Sequence, residues 1–573
     1  MANPMFDTSQ NRLNYGELLQ PGLGCSLDFA VGLTYSLDLE ALLGVPISLG
    51  ILDEMDTSLR DNPFYLLEAI RKSSDKLAIF CNAGGISLPQ KIQSVYSLLE
   101  NSVFEVKLPN KQNFHPKLWF IKYTNNESMT SYIKLIVLSR NLTFDNSLDL
   151  AFEFVGEIGK AKRNKNLPLF DMLSFVAEFS NKTKKEKLMS LAAEVLNVKE
   201  FIVSSPFADY TFFPLGIEGY AKEATELFRD NRDVFVVSPF LSDDIVTKLT
   251  KINGHKTLIT RKTSVNQNAM KRFDSVYITK DILTDNEIGT KQDIHAKLYF
   301  TAGNTGNHLY LGSANASHNA FYKNVEFLLK LKYDPYMISY ERIFNDLIPQ
   351  ENCPFEKITS MPIIIEESKE DQEFDSALKE AVWAIKGAKV LENGEGYEVE
   401  VRAASLKTEM KIRIAPLQKP YALVPLEKIT LLKNILLKEL SEFYVLAVED
   451  KKIVVKIETK NMPQGRDDAV YKGIISSKTA FLSYVSFMLS ENYSESAYEQ
   501  SEYLKLLDSN VSSTTGTDNT AAVYEKMLKA VVKNPKRLNE ISDVINRLDD
   551  GVIGKEFIEM YEQFKLAVGR LGK

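Results

Sequence analysis

One pattern of residues occurs twice in this chain of 573 residues and constrains its fold more than any other feature. Each copy reads His-x-Lys, an apolar strand, Ser-x-Asn, a second apolar strand and Glu. The two copies contain, in order, His115, Lys117, Ser139, Asn141 and Glu153, and His295, Lys297, Ser313, Asn315 and Glu326. From Asn to Glu the spacing is 12 residues in the first copy and 11 in the second. The longer His-to-Asn spacing of the first copy lies in the polar loop TNNESMT, where insertions are tolerated. We therefore expect two similar halves.

Both copies place polar side chains where they can meet in one groove. Residues two apart in a strand point to the same face, so His and Lys project together, and so do Ser and Asn. Two halves packed about a pseudo-twofold axis would bring two His, two Lys and two Asn together. One imidazole can then attack a phosphorus atom while the other protonates the leaving oxygen. Lys and Asn would hold the non-bridging oxygens, and a carboxylate behind each His would fix its tautomer.

Strands and helices alternate along the first 340 residues, which is typical of an α/β fold. Apolar runs predict strands over residues 26–35, 76–81, 131–139, 148–155 and 233–241. Later the apolar residues alternate with polar ones, and helical spacing returns near the end. The predicted segments are a first half over 1–170, a helical connector over 171–200, a second half over 201–345, a β-rich accessory domain over 376–500 and a helical region over 521–573.

The composition argues against several classes of protein. No run of ~18 apolar residues predicts a membrane span, and the first residues lack the pattern of a signal peptide. Cys25, Cys81 and Cys353 lie far apart, which argues against a disulfide framework or a zinc site and fits a cytoplasmic location. We predict no metal ion and no other cofactor, since there is no compact acidic cluster. With a net charge of -7, binding to a polyanion requires a local basic patch.

The duplicated residues, and above all the stretch GSANAS from Gly312 to Ser317, resemble the phospholipase D superfamily, whose members carry the His-x-Lys…Asn signature in two half-domains. The resemblance covers residues 20–340. It implies an α-β-α sandwich for each half, one active site at their interface and a covalent phosphohistidine intermediate formed without a metal ion. The lipid-cleaving branch has Asp five residues after the motif Lys, where this chain has Lys122 and Ala302. The chain is therefore more similar to the nuclease branches, such as metal-independent restriction endonucleases and tyrosyl-DNA phosphodiesterase.

Basic residues near the two copies favour nucleic acid, and DNA in particular, as the substrate. Lys160, Lys162 and Arg163 follow the first copy, while Arg261 and Lys262 precede the second, and on loops such residues neutralise backbone phosphates. We predict a metal-independent nuclease of bacterial anti-phage defence or restriction, with a helicase or ATPase as a candidate partner. An end-processing DNA repair phosphodiesterase and a phospholipid phosphodiesterase or transferase are the alternatives. The oligomeric state is left open.

The two histidines are predicted to have different roles. His115 is followed by Pro116, whereas Asp293 lies two residues before His295 on the same strand face. A nearby carboxylate would favour the protonated form of His295, which suits a general acid, and a neutral imidazole suits a nucleophile. The resemblance to tyrosyl-DNA phosphodiesterase, in which the first copy supplies the nucleophile, implies the same assignment. We therefore predict His115 as the nucleophile and His295 as the general acid.

Overall fold

The structure is a computed structural model that describes residues 15–50, 63–144, 147–220, 225–229, 231–280, 293–304, 306–333, 338–351, 353–362, 369–394, 396–475, 477–489, 523–524, 526–530, 535–548 and 550–571. Within these ranges helices and mixed sheets are combined, so the predicted α/β class is confirmed. The helices of the two halves are α1 (Tyr15–Leu18), α2 (Leu39–Ser48), α3 (Pro63–Ser73), α4 (Leu167–Ala177), α5 (Lys182–Leu196), α6 (Asp243–Leu249), α7 (Gln267–Arg272), α8 (His318–Tyr322) and α9 (Tyr340–Leu347).

The first half is built on a six-stranded sheet. In spatial order its strands are β5 (Val103–Val106), β3 (Leu77–Asn82), β1 (Cys25–Leu33), β6 (Leu118–Asn125), β7 (Ser131–Leu138) and β9 (Ala151–Glu157). The pairs β5–β3 and β3–β1 are parallel, whereas the pairs β1–β6, β6–β7 and β7–β9 are antiparallel. Four of the predicted apolar strands are confirmed as β1, β3, β7 and β9, with ends shifted by a few residues.

The second half repeats this topology within an eight-stranded sheet. Its spatial order is β10 (Phe207–Leu215), β17 (Glu326–Tyr333), β16 (Gly306–Gly312), β15 (Leu298–Gly303), β11 (Asn231–Val237), β12 (Lys256–Thr260), β13 (Ser275–Thr279) and β18 (Phe355–Ile358). The fifth predicted strand is confirmed as β11. From β13 to β17 the order and the strand directions match those of the first sheet from β5 to β9, and β10 and β18 are additions at the two edges. A pseudo-twofold axis between the halves stays a prediction.

One hydrophobic core is shared by the two halves. It includes alternate residues of the first sheet, such as Phe120 and Leu135, and of the second, such as Phe300 and Leu329. Helices α4, α5 and α9 contribute to this core. The opposite face of the first sheet is covered by α2, and that of the second by α6, α7 and α8. Both sheets are thus buried on two sides, which explains why their strands read as continuous apolar runs.

The β-rich region that follows is joined to the first half through a common sheet. A four-stranded sheet contains β23 (Ile429–Ile435), β20 (Gly396–Ala403), β19 (Ile385–Asn393) and β26 (Thr459–Lys460). A second sheet runs in the order β2 (Leu37–Asp38), β4 (Ile86–Ser87), β25 (Lys451–Lys456), β24 (Phe443–Val448), β21 (Arg413–Pro416) and β22 (Val424–Pro425). Because β2 and β4 belong to the first half, and because Val445 and Val454 enter its core, this region does not have a core entirely of its own.

The remaining helices pack against the first half as well. They are α10 (Lys369–Ala384), α11 (Arg466–Ile474), α12 (Lys478–Leu489), α13 (Pro535–Ile545), α14 (Asp550–Ile553) and α15 (Lys555–Leu571). A hydrophobic cluster joins α12, α13 and α15 to Ile47 of α2 and Leu67 of α3. The hydroxyl of Tyr484 also donates a hydrogen bond of 2.9 Å to the buried carboxylate of Glu68. In the described part of the chain, no helix combines the length and the apolar character needed to cross a membrane.

Candidate active site

Each His-x-Lys segment lies directly before a strand of its sheet, and that strand pairs antiparallel with a strand in the middle of the same sheet. His115 and Lys117 precede β6, which pairs with β1, and His295 and Lys297 precede β15, which pairs with β11. The starts of β6 and β15 therefore lie level with the carboxyl ends of β1 and β11. In open α/β sheets this edge is where ligands usually bind.

The backbone of each segment is held by the other half. The amide of His115 donates a hydrogen bond of 2.9 Å to the carbonyl oxygen of Val325, which directly precedes β17. In the same way, the amide of His295 donates one of 3.1 Å to the carbonyl oxygen of Leu148, in the short strand β8 (Ser147–Leu148). That strand pairs with β14 (Asp293–Ile294). Each histidine is thus fixed by a residue that lies shortly before β17 or β9 of the opposite half.

The carboxylate that contacts His115 comes from the second half. Glu326 Oε2 lies 2.7 Å from His115 Nδ1, and Glu326 is completely buried. Its two oxygens also accept hydrogen bonds from Ser313 Oγ at 2.5 Å and from Asn324 Nδ2 at 3.2 Å. A carboxylate can only accept, so this contact places the proton of His115 on Nδ1 and leaves Nε2 with its lone pair. The predicted residues Glu326, Ser313 and His115 are therefore brought together.

The counterpart of Glu326 in the first half is Asp149 and not the predicted Glu153. Ser139 Oγ donates to Asp149 Oδ1 at 3.2 Å and accepts from the amide of Leu150 at 2.8 Å. Ser313 makes the same two contacts with Glu326 and with the amide of Phe327. Glu153 is exposed, and its carboxylate lies 3.1 Å from Lys134 Nζ within the sheet. The prediction of Glu153 as an orienting carboxylate is therefore corrected on geometric grounds.

The two motif lysines are buried close to the histidines. Lys117 Nζ lies 3.2 Å from His115 Nε2 and 3.3 Å from its carbonyl oxygen, and Lys297 Nζ lies 2.6 Å from the carbonyl oxygen of His295. Burial, assisted by the charge of Lys297, lowers the pKa of Lys117 well below its usual range, although Glu326 and Asp149 oppose this shift. Because Lys297 disfavours the charged form of Lys117, an anion bound beside them would favour the protonated form of both amines.

Burial also lowers the pKa of His115 to about 4, with Glu326 acting in the opposite direction and Lys117 adding to the decrease. His115 is therefore neutral at pH 7, and its ring lies 4.9 Å from that of Tyr35. A neutral imidazole with a lone pair on Nε2 is the form that a nucleophile needs, and here that atom also lies 3.2 Å from Lys117 Nζ. The side chain of Asp293 lies outside the described part of the chain. Its predicted effect on the protonation of His295 therefore stays a prediction.

The two motif asparagines are positioned by equivalent hydroxyl groups. Thr34 Oγ1 accepts from the amide of Leu142, directly after Asn141, at 3.0 Å. Ser238 Oγ accepts from the amide of Ala316, directly after Asn315, at 2.9 Å. Both hydroxyl groups lie just beyond the carboxyl end of a central strand, β1 or β11.

The two asparagine side chains differ in their hydrogen bonding. Asn141 Oδ1 accepts a long hydrogen bond of 3.4 Å from the amide of Ser36. Asn315 Oδ1 is buried, and among the residues that the structure describes it has no hydrogen-bond partner. An unsatisfied buried oxygen is costly, and because Oδ1 can only accept, it is arranged for a hydrogen-bond donor that the protein does not supply. The amide nitrogen is the atom that can donate to a phosphate oxygen.

The predicted basic residues divide into two sets. Lys160, Lys162 and Arg163 are exposed and follow the far end of β9, about 26 Å along the strand direction from Asp149 at ~3.3 Å per residue. They do not border the groove, which corrects the prediction based on their place in the sequence. Arg261 and Lys262 follow the carboxyl end of β12, at the edge of the sheet that carries Lys297. The guanidinium carbon of Arg261 lies 4.8 Å from the ring centroid of Phe240.

Asp149, Thr34, Ser238 and Tyr35 are residues of the site that the sequence analysis missed. Asp149 had a usable signal, since it lies two residues before β9 in the first half, much as Glu326 begins β17 in the second. The hydroxyl residues follow the first strand of each half, but a single Thr or Ser in that position is too common to be informative. In the described part of the chain, no group of three or more His, Cys, Asp and Glu side chains is arranged to hold a metal ion.

No protein-family model matches the chain, and no curated protein matches it. Similar solved structures include a polyphosphate kinase from Porphyromonas gingivalis, with 10% identity, a TM-score of 0.35 and coverage of 62% of this chain and 48% of that one. A phosphatidylserine synthase from Haemophilus influenzae Rd KW20 has 10% identity, a TM-score of 0.34 and coverage of 61% and 86%. NucT from Helicobacter pylori has 20% identity, a TM-score of 0.18 and coverage of 22% and 85%. The chain thus spans about half of the polyphosphate kinase. These likenesses are too low to assign a function to the chain.

Proposed function

We propose that this chain is a phosphodiesterase of the phospholipase D superfamily that cleaves nucleic acid through a covalent phosphohistidine. One observation carries the proposal. The backbone amide of each motif histidine donates a hydrogen bond to the residue directly before the carboxylate of the opposite half, which is Glu326 for His115 and Asp149 for His295. For His115 the contact itself is present, with 2.7 Å between Nδ1 and Glu326 Oε2. A neutral histidine oriented by a buried carboxylate, beside two buried lysines whose charged forms a phosphate would favour, suits nucleophilic attack on an anionic phosphorus centre.

The first chemical step forms a bond between His115 Nε2 and phosphorus. The bond from phosphorus to the leaving oxygen breaks, and His295 donates a proton to that oxygen. The ring of His115 becomes cationic, and the carboxylate of Glu326 stabilises this charge through Nδ1–H. Lys117, Lys297 and the asparagine amides hold the non-bridging oxygens, where negative charge accumulates.

In the second step His295, now neutral, removes a proton from water. The resulting hydroxide attacks phosphorus, the bond from phosphorus to Nε2 breaks, and His115 returns to its neutral form. The positive charge required in both steps is supplied by the two lysines, so the proposed cycle contains no step that uses a metal ion.

Nucleic acid is favoured as the substrate by two features of the chain. Lys122 and Ala302 occupy the positions at which the lipid-cleaving branch has Asp, and Lys122 Nζ is instead bonded to Glu194 at 2.6 Å. Arg261 and Lys262 follow β12 at the edge of the groove and can neutralise phosphates on either side of the scissile one. The roles in defence or restriction, and a helicase or ATPase partner, remain predictions from the sequence.

The test is incubation of the purified chain with covalently closed circular DNA and linear DNA in excess EDTA. We expect cleavage of both, and loss of nearly all activity in His115→Ala and in His295→Ala. His255→Ala is the matched control, because His255 is exposed, pairs with Asp233 and lies at the opposite end of β12. Cleavage that requires a free end would favour the repair alternative, and cleavage of phospholipid alone would refute a nucleic-acid substrate.

A further inference from the structure

A cleft of about 810 Å³ opens beside Asn141, on the side of the first half that faces away from the shared core. Its walls are formed by α2, by residues near α1, and by the loop from Arg140 to Phe144 that carries the motif asparagine. This volume lies within the range of about 300–1,000 Å³ that is usual for small-molecule sites. Asn141 is thus a wall of this cleft as well as a residue of the candidate active site.

The cleft coincides with the point at which the two motif copies differ most. In the second copy the residue between Ser and Asn is Ala314, which is completely buried and whose carbonyl oxygen accepts a hydrogen bond of 2.9 Å from Tyr299. In the first copy the same position is Arg140, which lines the cleft and donates a hydrogen bond of 3.0 Å to the carbonyl oxygen of Thr143. Arg140 is therefore specific to the first copy, where its Nε atom also lies 4.0 Å from Asp149 Oδ2.

The lining of the cleft suits a flat ring with polar edges. Its apolar surface comes from side chains such as Leu43 and Val45, and its polar groups include Glu40 and Arg140. At its rim Phe144 has 71% of its surface exposed, although it lies only three residues after Asn141. Exposed aromatic rings beside a phosphate site are the usual platforms on which unpaired bases stack.

We propose that this cleft binds the base of the nucleotide that flanks the scissile phosphate, with Phe144 stacking at its entrance. The inference rests on the proposed function and specifies its substrate class as single-stranded nucleic acid. A paired base cannot enter the cleft until it leaves the duplex, and this unpairing costs free energy. Single strands should therefore be cleaved faster than duplexes of the same sequence.

Gly44 offers a way to fill the cleft without disturbing the fold. It lies in the middle of α2, lines the cleft, and a Cβ atom placed on it would have no other atom within 4 Å. Leucine is also a better helix former than glycine, so Gly44→Leu should retain or increase thermal stability. Gly473→Leu is the matched control, because Gly473 is an exposed glycine in α11 with equally open space around its Cβ position.

The measurement compares two single-stranded oligonucleotides, one natural and one with tetrahydrofuran in place of every nucleoside. The wild type and Gly473→Leu should cleave the natural strand roughly tenfold faster than the abasic one, as expected for one base contact, and Gly44→Leu should lose this preference. Equal rates on both strands in the wild type, or an unchanged preference in Gly44→Leu, would overturn the cleft proposal while leaving the proposed function intact. Failure of the wild type to cleave either strand would instead overturn both.

Discussion

Replacing Glu326 with glutamine isolates the contact between the two halves on which the mechanism depends. Glu326 Oε2 accepts from His115 and Ser313, while Oε1 accepts from Asn324 at the longer distance of 3.2 Å. The glutamine amide nitrogen should therefore turn toward Asn324, where the native contact is weakest. The oxygen stays on His115, so the geometry is kept and the negative charge is lost.

The expected size of the effect follows from that change. A hydrogen bond to a charged group contributes about 1.5–3 kcal/mol, and each ~1.36 kcal/mol changes a rate tenfold. We therefore expect Glu326→Gln to lower kcat about 10- to 150-fold, with little change in KM, because the carboxylate acts mainly on the cationic ring formed during the reaction. Release of p-nitrophenolate from bis(p-nitrophenyl) phosphate measures this without assumptions about the natural substrate.

The chain supplies its own control in the other copy of the motif. Glu153→Gln makes the same chemical change at an exposed carboxylate paired with Lys134, where ion pairs contribute about 0–1 kcal/mol. Its kcat should stay within roughly twofold of the wild type, while Asp149→Asn should behave like Glu326→Gln. The reasoning is refuted if Glu326→Gln retains full activity, or if Glu153→Gln loses as much as Glu326→Gln does.

Three further predictions concern the pH profile, the unpaired amide and the junction with the C-terminal region. Because the pKa of His115 is about 4, the acid limb of kcat/KM should lie near pH 4, and a limb near the ordinary histidine value of about 6.5 would contradict the neutral nucleophile. Asn315→Ala should lower the single-turnover rate by about 10²–10³, as for loss of an oxyanion donor. It should change the free energy of unfolding little, since Asn315 Oδ1 has no partner in the described protein, and a large loss of stability would indicate a structural role instead. Arg466→Met leaves the buried Glu100 carboxylate without its guanidinium and should cost about 3–5 kcal/mol in urea unfolding, whereas Arg547→Met, at a pair 37% exposed on each side, should cost at most about 1 kcal/mol. Burial already raises the pKa of Glu100, so the loss in Arg466→Met should be larger at pH 8 than at pH 5, where Glu100 is more easily protonated.

The strands and the duplicated motif were predictable because each depends on local sequence. Apolar runs buried on both sides form β1, β3 and β11, and Ser-x-Asn follows the end of a strand as expected. His-x-Lys was expected within a strand but lies directly before one. The orienting carboxylate was mistaken in the first half because the spacing from Asn to the acid was taken as constant. The spacing is 8 residues from Asn141 to Asp149 and 11 residues from Asn315 to Glu326. In the second copy the short helix α8 lies between the Asn and the acid.

Two other features depend on tertiary structure and have no local signal. The contact of His115 with Glu326 joins residues 211 positions apart, and nothing in either segment shows that the carboxylate serves the opposite half. The pairing of Val454 with Ile86 likewise joins the β-rich region to a two-residue strand that reads as part of a glycine turn. Such pairings are chosen by the packing of whole layers, so spacing rules that hold within one half do not reach them.

The chemistry of the site is duplicated, but its surroundings are not. The accessory sheet continues β4, the C-terminal helices pack on Ile47 and Leu67, and the cleft opens beside Asn141, all within the first half. Helix α2 connects these features, since Gly44 lines the cleft while Ile47, less than one turn later, enters the cluster formed by the C-terminal helices. Among its described residues, the second half adds β10 and β18 at the edges of its sheet. If both halves take part in bond breaking as proposed, they still differ in their surroundings, and the proposed base-binding cleft lies in the first half while Arg261 and Lys262 lie in the second.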